Sequence, residues 1–226
     1  MKKLLFTCLL SCLSLAASAQ AESCWRLYPK IGVNLSKFPN DEILLMGAQH
    51  DYQLKSRYKQ GFTAGAELSY ERDVLSATLG LMYSNRGTKY KDYTYESLSY
   101  QEKMSGMQYT LHYLEMPLMG GYEIASGLRV KAGVQLGYLL KADFTSSSII
   151  TMTADDGVKS IEPNETDIDV MDTFKKVDVC IPVGISYEFS NVVVEARYLI
   201  GVTTNSDLVK ARNSGFVFTV GYGFDL

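Results

Sequence analysis

The chain ends with the sequence FVFTVGYGFDL, residues 216–226. Every second residue from Phe216 to Leu226 is large and apolar, and the residues between them are small or polar apart from Val217. Alternation with a period of two is the pattern of a β-strand with one apolar face. A helix would scatter these aromatic residues around its surface. The stretch therefore predicts a two-faced strand.

The same alternation recurs upstream and predicts eight strands in all. It is clear in residues 127–141, 174–189 and 191–203, and weaker in 26–36, 61–71, 74–84 and 109–124. Tight turns are predicted around Arg72-Asp73, Ala125-Ser126 and Ser190-Asn191, whereas the connections 37–60, 85–108, 142–173 and 204–213 are long. Short periplasmic turns and long extracellular loops are typical of outer-membrane barrels. The predicted fold is an all-β, antiparallel, up-and-down, eight-stranded transmembrane β-barrel. A bulge or local break is expected at Pro117 and Pro182, because each removes a donor from the ladder.

The first residues have the three parts of a secretory signal peptide. Lys2-Lys3 precedes the apolar run 4–15, and Ala17-Ser18-Ala19 fits the small-x-small cleavage pattern. The run is too short to span about 30 Å of hydrocarbon. We expect a signal peptide at 1–19, cleaved after Ala19, and one barrel domain at 20–226. Lipidation at Cys12 is the alternative, and Leu13 after it disfavours that reading.

Composition excludes some classes of partner. Loss of Lys2 and Lys3 leaves 20 basic and 25 acidic residues, a net charge of −5. A nucleic-acid-binding protein would instead show an excess of basic residues. After the leader no run of about 18 apolar residues predicts a transmembrane helix. Cys24 and Cys180 remain in a compartment that permits disulfides. We expect two separate thiols, because the predicted register places one near the periplasmic end and the other in mid-strand.

Alternation alone does not separate a membrane barrel from a soluble lipocalin-like barrel, which hides its apolar face inside. Aromatic residues near the strand ends of the apolar face favour the membrane barrel, because amphipathic rings belong at the two membrane–water interfaces. The predicted aromatic girdles are formed by Tyr83, Tyr138, Tyr198 and Phe216 on the outer side, and by Tyr70, Tyr122, Tyr187, Phe189, Tyr222 and Phe224 on the periplasmic side. The aromatic-rich final strand also favours the membrane barrel.

The opposite face mixes glycine with charges of both signs, unlike the wall of an apolar ligand cavity. In a narrow lumen such charges must pair, because an unpaired buried charge is costly. The predicted lumen charge network comprises Lys30, Glu67, Glu115, Arg129, Lys131, Asp178, Glu188, Glu195 and Arg197.

Five motifs carry a family resemblance. They are Gly61–Gly65 running on to Leu81–Gly87, Tyr113–Leu118, Ala132–Leu140, Phe174–Asp178 and Ala196–Tyr198. As a set they resemble the PorT-like outer-membrane β-barrel family of Bacteroidota over residues 26–226. The resemblance implies an eight-stranded barrel in the cell outer membrane, with Pro117 as a family feature. It implies no catalytic residue, and its matching positions are scaffold positions that do not imply a secretion role here.

Two loops have unusual compositions. Tyr90, Tyr93, Tyr95 and Tyr100 would offer a surface for glycan or protein. The favoured interpretation is a β-hairpin whose tyrosines pair across strands. Residues 155–172 hold seven acidic residues, and clustered carboxylates can bind Ca²⁺. They fit no EF-hand spacing, so a solvated mobile loop is favoured.

The sequence suggests three functions, in order of preference. The first is a non-enzymatic barrel, structural or an accessory component of a secretion or uptake system, in contact with outer-membrane lipid, lipopolysaccharide and other envelope proteins. The second is a narrow pore, disfavoured because side chains fill an eight-stranded barrel. The third is a lipid-modifying enzyme, for which His50 and His112 are the only histidine bases. No catalytic, cofactor or metal site is predicted.

Overall fold

The structure, a computed structural model, describes residues 23–38, 42–46, 51–96, 100–153, 159–206 and 212–226. The predicted signal peptide at 1–19 and His50 lie outside these residues. Only the backbone is described for Ser23, residues 42–46 and 51–54, Tyr100, Thr153 and residues 159–160.

The described part is almost entirely β-strand. The strands are β1 (Ser23–Lys37), β2 (Glu42–Met46), β3 (Asp51–Arg72), β4 (Leu75–Tyr90), β5 (Tyr93–Glu96), β6 (Tyr100–Ala125), β7 (Leu128–Thr153), β8 (Lys159–Asp169), β9 (Val177–Phe189), β10 (Val192–Gly201), β11 (Ser214–Tyr222) and β12 (Phe224–Asp225). A short 3₁₀ turn at Met171–Thr173 joins β8 to β9.

Eight antiparallel strands form a closed ring in the order β1-β3-β4-β6-β7-β9-β10-β11. Val33 of β1 closes it, because it pairs with Phe62 of β3 on one side and with Phe218 of β11 on the other. The eight predicted strands and the up-and-down barrel are confirmed. β2 and β8 were not predicted, whereas β5 belongs to the hairpin expected in the tyrosine-rich segment. Each of the three pairs with one strand of the ring: β2 with β3, β5 with β6 and β8 with β7.

Three two-residue turns connect strands at one end of the barrel, within one residue of the predicted positions. They are Asp73-Val74, Ser126-Gly127 and Ser190-Asn191. Ser190 and Asn191 have φ values of 48° and 69°. Positive φ at both central residues gives the turn a twist that matches the flanking strands.

Prolines interrupt the ladder without shifting it. Pro117 breaks the β4–β6 pairing for two residue pairs, and Pro182 does the same between β7 and β9, with unchanged register on both sides. The expected local break is therefore present at both, and the alternative, a bulge, is not. Pro29 has the same effect between β1 and the C-terminal segment, where the pairing divides into β11 and β12. When the neighbouring strands hold the register, a proline removes only the hydrogen bonds that its missing N–H would have made.

The strands differ greatly in length, and the excess lies on one side. β9, β10 and β11 have 13, 10 and 9 residues, close to the 9–11 or so that a tilted strand needs to span a bilayer. β6 and β7 have 26 residues each. Because their connecting turn at Ser126-Gly127 is tight, β6 and β7 extend at the extracellular end only.

Candidate functional site: the filled lumen and the extracellular sheet

The outer wall of the barrel is apolar. All ten residues predicted for the aromatic girdles point outward, and eight of them are well exposed, for example Tyr122 and Tyr138 at 51% each; Tyr70 and Tyr83 are half-buried. Tyr198 and Phe216 pack with ring centroids 4.8 Å apart. Trp25 and Phe62 belong to the same wall but were not predicted. No helix in the described ranges is long and apolar enough to cross a membrane.

The lumen is filled by charged side chains in three layers. The periplasmic layer lies near the tight turns. In it Arg26 Nη1 lies 2.5 Å from Glu188 Oε1, and Arg129 Nη1 lies 2.7 Å from Glu71 Oε1. The hydroxyl of Tyr28 donates to Glu71 at 2.9 Å. Both guanidinium groups therefore have carboxylate partners.

The middle layer crosses the barrel. Lys30 Nζ lies 2.6 Å from Glu67 Oε2 and 2.5 Å from Glu195 Oε2. The guanidinium of Arg197 pairs with the same two carboxylates. Lys131 Nζ lies 3.4 Å from Glu195. The five residues of this layer come from four strands, and its three cations share two carboxylates in a buried site.

The upper layer is centred on Arg86, which is 1% exposed. Its Nη2 lies 2.9 Å from Asp178 Oδ2 and its Nε lies 2.8 Å from Glu115 Oε1. The guanidinium also lies over the ring of Tyr113, 4.7 Å from the centroid. Asp178 accepts a second hydrogen bond from Thr203 Oγ1 at 2.9 Å. One cation is therefore held between two carboxylates.

An apolar plug closes the extracellular end of the lumen. It consists of six buried side chains: Phe38, Leu111, Tyr113, Leu139, Ala142 and Phe174. A second cluster continues it upward, where Tyr90 and Met107 pack against Met104, Tyr93, Tyr109 and Phe144. Tyr109 joins the two, because its ring centroid lies 5.6 Å from Phe174 and 4.8 Å from Phe144.

The structure places all nine residues of the predicted charge network in the lumen, distributed over the three layers. Arg86, Arg26, Tyr28 and Glu71 were missed. Arg86 falls beyond residue 84, where the third strand was predicted to end. Continued alternation through Met82 and Ser84 was the signal that would have included it.

On β6 and β7 the polarity of both faces changes at one level. Below it, Leu114 and Tyr138 point outward and Glu115 points inward; above it, most outward residues are polar and the large buried inward side chains are apolar. The change falls at His112 and Lys141, which pair across β6 and β7. An outward lysine with 60% side-chain exposure does not suit hydrocarbon. This level therefore marks the extracellular boundary of the membrane.

Above the boundary, residues 100–112 of β6 and 141–153 of β7 form a four-stranded sheet with β5 and β8. We call it the extracellular sheet. Thirteen residues of extended strand correspond to about 40 Å along β6. A bulge at Gly106-Met107, with Gly106 at φ 65°, keeps Ser105 and Gln108 on the same outward face. Without the extra residue, every side chain beyond it would change faces.

The tyrosine-rich segment is a hairpin of β5 with β6. Tyr93 lies opposite Met104 and Tyr95 lies opposite Glu102, both on the inner face. Tyr90 is 4% exposed and does not belong to any exposed surface. The side chain of Tyr100 lies outside the described residues.

The acidic segment was expected to be a mobile loop, and this is wrong for its second half. Residues 159–169 form β8, which pairs with β7 throughout. The part of the chain that the structure describes holds no group of three potential metal ligands, and Asp155 and Asp156 lie outside that part. Cys24 is exposed and Cys180 is buried, and both are free thiols.

His112 lies on the outer wall, on the aqueous side of the boundary. The hydroxyl of Tyr83 lies 2.5 Å from its Nδ1, and its Nε2 lies 3.6 Å from Asp143 Oδ2. Lys141 Nζ lies 2.8 Å from the other oxygen of Asp143. Partial burial is the main cause that holds the pKa of His112 below its ordinary value. A neutral ring with an unprotonated Nδ1 accepts the hydrogen bond from Tyr83.

Comparison with known proteins gives the family. A family model described as outer membrane protein beta-barrel domain matches residues 18–207. The chain belongs to this family of outer-membrane β-barrels. No curated protein sequence shows significant similarity to it.

Solved structures of outer-membrane barrels are similar to the chain at low identity. Ail, the attachment invasion locus protein of Yersinia pestis, is 12% identical, with 88% of this chain and 99% of that chain covered and a TM-score of 0.40. Neisserial surface protein A is 11% identical, with 90% and 99% covered and a TM-score of 0.44.

Proposed function

We propose that this outer-membrane barrel is non-conducting and non-enzymatic, and that it serves as an interaction component of the cell envelope. One observation carries the proposal: the lumen is filled by three ion-paired layers under an apolar plug, while β6 and β7 continue above the membrane as an ordered sheet. A barrel that only spans the bilayer does not need the upper halves of β6 and β7, which have 26 residues each.

The filled lumen speaks against the pore alternative. A cavity beside Tyr28, Lys30 and Arg129 has a volume of about 10 Å³, which is about the minimum for one water molecule. To move an ion past the middle layer, Lys30 and Arg197 would have to separate from the carboxylates of Glu67 and Glu195. Lys131 would then be the only cation left in that layer. That separation is costly in a buried site.

The surroundings of His112 speak against the enzyme alternative. A nucleophile activated by histidine needs a hydroxyl or thiol in hydrogen-bond reach and an orienting carboxylate. The partners of His112 among the described residues are Tyr83 and Asp143, and the distance to Asp143 exceeds a hydrogen bond. The simpler role of this contact is to satisfy the hydroxyl of an interfacial tyrosine.

The partners belong to the proposal as well. The extracellular sheet offers one polar and one apolar face to lipopolysaccharide and to other envelope proteins. Membership of the PorT-like subfamily remains a prediction from the sequence motifs, and a role in secretion or uptake would need a partner from such a system.

Single-channel recording in planar bilayers tests the proposal. Purified full-length protein should give no conductance steps, and its insertion is checked by a gel band whose mobility changes on boiling. Discrete, reproducible channels from inserted protein would contradict the proposal and favour the pore. Loss of the boiling-dependent band would show instead that the sample is not a folded barrel.

A further inference from the structure

The outward face of the extracellular sheet directly continues the lipid-facing wall. His112 and Lys141 follow Leu114 and Tyr138 on the same two strands, and Gln108 and Thr145 lie further from the membrane as a pair. Below the boundary this wall contacts acyl chains. Whatever lies above the acyl chains in the surrounding outer leaflet therefore meets the outward face.

The two central strands of this face carry mainly uncharged, hydrogen-bonding side chains. Charged side chains lie among and beside them: Lys103 on β6, Lys141 and Asp143 at the base of β7, Glu96 on β5, and Glu165, Asp167 and Asp169 along β8. Cross-strand pairs of hydroxyl and amide side chains follow one another up β6 and β7: Gln108 with Thr145, Ser105 with Ser147, and Gln101 with Thr151. All six residues are half-buried or exposed. Hydroxyls and primary amides both donate and accept, as sugar hydroxyls do.

The same face lacks the features of a protein-docking site. Protein interfaces are centred on aromatic or arginine anchors in well-packed pockets. On the described outward face of the four strands above the boundary, the large apolar side chains are Ile149 on β7 and Ile161 on β8, and His112 at the base is the only aromatic one. The inner face, with Tyr93, Met104 and Tyr109, has the opposite character.

We infer that the outward face of the extracellular sheet binds the saccharide part of lipopolysaccharide molecules in the surrounding leaflet. This occupant is favoured over a protein because the face is polar, unanchored and continuous with the lipid-facing wall. The inference rests on the proposed function in one respect, because it makes the extracellular sheet the working part of the barrel. It does not depend on whether the lumen conducts.

Titration of labelled full-length protein in detergent with two probes tests the inference. The probes are lipopolysaccharide that carries its core oligosaccharide and lipid A without sugars beyond its own. The wild-type protein should bind the core-bearing form about tenfold more tightly, as expected for a few additional hydrogen bonds. The variant Thr145→Val/Ser147→Ala/Thr151→Val should lose this preference. The matched control Ser146→Ala/Ser148→Ala alters the opposite face of β7 and should retain it.

A wild-type protein without preference for the core, or a triple variant that keeps it, would overturn the inference. If the triple variant does not fold, labelling of Thr145→Cys in a Cys24→Ser background decides. A water-soluble thiol reagent should modify this cysteine several-fold more slowly in vesicles with core-bearing lipopolysaccharide than in vesicles with lipid A, and equal rates would overturn the inference. Conductance recorded on the same preparation distinguishes the two proposals, because a conducting barrel with core preference would contradict only the proposed function.

Discussion

His112 lies directly opposite Lys141, whereas the next residue along β6, Tyr113, lies opposite Leu139. The extra residue in β7 is Leu140, and it shifts the register by one at the level where the membrane ends. Lys141 consequently points outward with 60% of its side chain exposed, and Ala142 is fully buried in the apolar plug. A single bulge in β7 thus places the polar Lys141 on the outward face and the apolar Ala142 on the inward face, directly above the apolar outward and polar inward residues of the membrane-spanning part.

Arginine substitutions on β7 test the position of the membrane boundary. Val134 and Ile149 both point outward and are 48% and 43% exposed. Val134→Arg should destabilise the folded barrel in vesicles by about 2–4 kcal/mol, because the charge enters hydrocarbon. Ile149→Arg should change the unfolding free energy by less than about 0.5 kcal/mol, because it lies in water. Urea titration in lipid vesicles measures both, and equal costs would place the boundary elsewhere.

Removal of the Arg86 charge tests the upper layer. Arg86→Met leaves Glu115 and Asp178 buried without a cation, and should cost about 3–5 kcal/mol of unfolding free energy. Arg86→Met/Glu115→Gln/Asp178→Asn removes the unpaired charges and should recover much of that loss. The same urea titration compares the two variants. A triple variant no more stable than the single one would show that the layer contributes through packing rather than charge pairing.

Truncation of a side chain in the apolar plug should lower the unfolding free energy without making the lumen conductive. Phe174→Ala removes a nearly buried ring that packs against Phe38 at 6.2 Å between centroids. The expected cost is about 3–5 kcal/mol. The inserted variant should still show no channels in a planar bilayer, because Arg86 and the middle layer continue to fill the lumen. Channel activity in this variant alone would make the plug the principal barrier.

The pKa of His112 has a predictable direction. Burial and the charges of Lys141 and Lys59 lower the pKa, and Asp143 raises it by a smaller amount than burial lowers it. The folded protein therefore binds a proton at His112 less readily than the unfolded chain, whose pKa is about 6.5. Stability should be highest above that pH and should decrease as the pH falls through it. NMR titration of histidine-labelled protein, with a His50→Gln variant to assign the two rings, should give a value below 6.5.

A comparison with His112→Gln separates this group from the carboxylates that titrate at lower pH. The variant should lose the decrease in stability between about pH 7 and pH 5.5, the range in which an ordinary histidine becomes charged. An unchanged pH profile would assign the effect to another group.

Strand alternation made the barrel, its eight strands and its sidedness predictable, because a period of two is a local property of the chain. The charge network was largely predictable for the same reason: residues such as Lys30 and Glu195 are in phase with their strands. Arg86 was missed because the third strand was predicted to end at residue 84, whereas β4 continues in phase through Arg86 to Tyr90. The local break at Pro117 was expected, but its lack of a bulge depends on the neighbouring strands.

The extracellular sheet was not predictable as a unit. The hairpin that contains β5 was expected, but not its place in a four-stranded sheet. β8 is polar on much of its surface, and its alternation is too weak to identify it as a strand. β5 and β8 are held by pairing with β6 and β7, and the inner face is held by the apolar cluster around Tyr109. The predicted mobility of the acidic segment failed because pairing with a neighbouring strand outweighed its low intrinsic propensity.

The sequence by itself determined that this protein is a barrel with an apolar exterior and a charged interior, because each strand carries that information in its own alternation. Only the tertiary structure decided which carboxylate meets which cation, since Glu67 lies 130 positions from Arg197 along the chain. It also decided where the membrane ends. The bulge at Leu140, which turns Lys141 outward, arises from the register between β6 and β7, and register is a relationship between strands that no single strand contains.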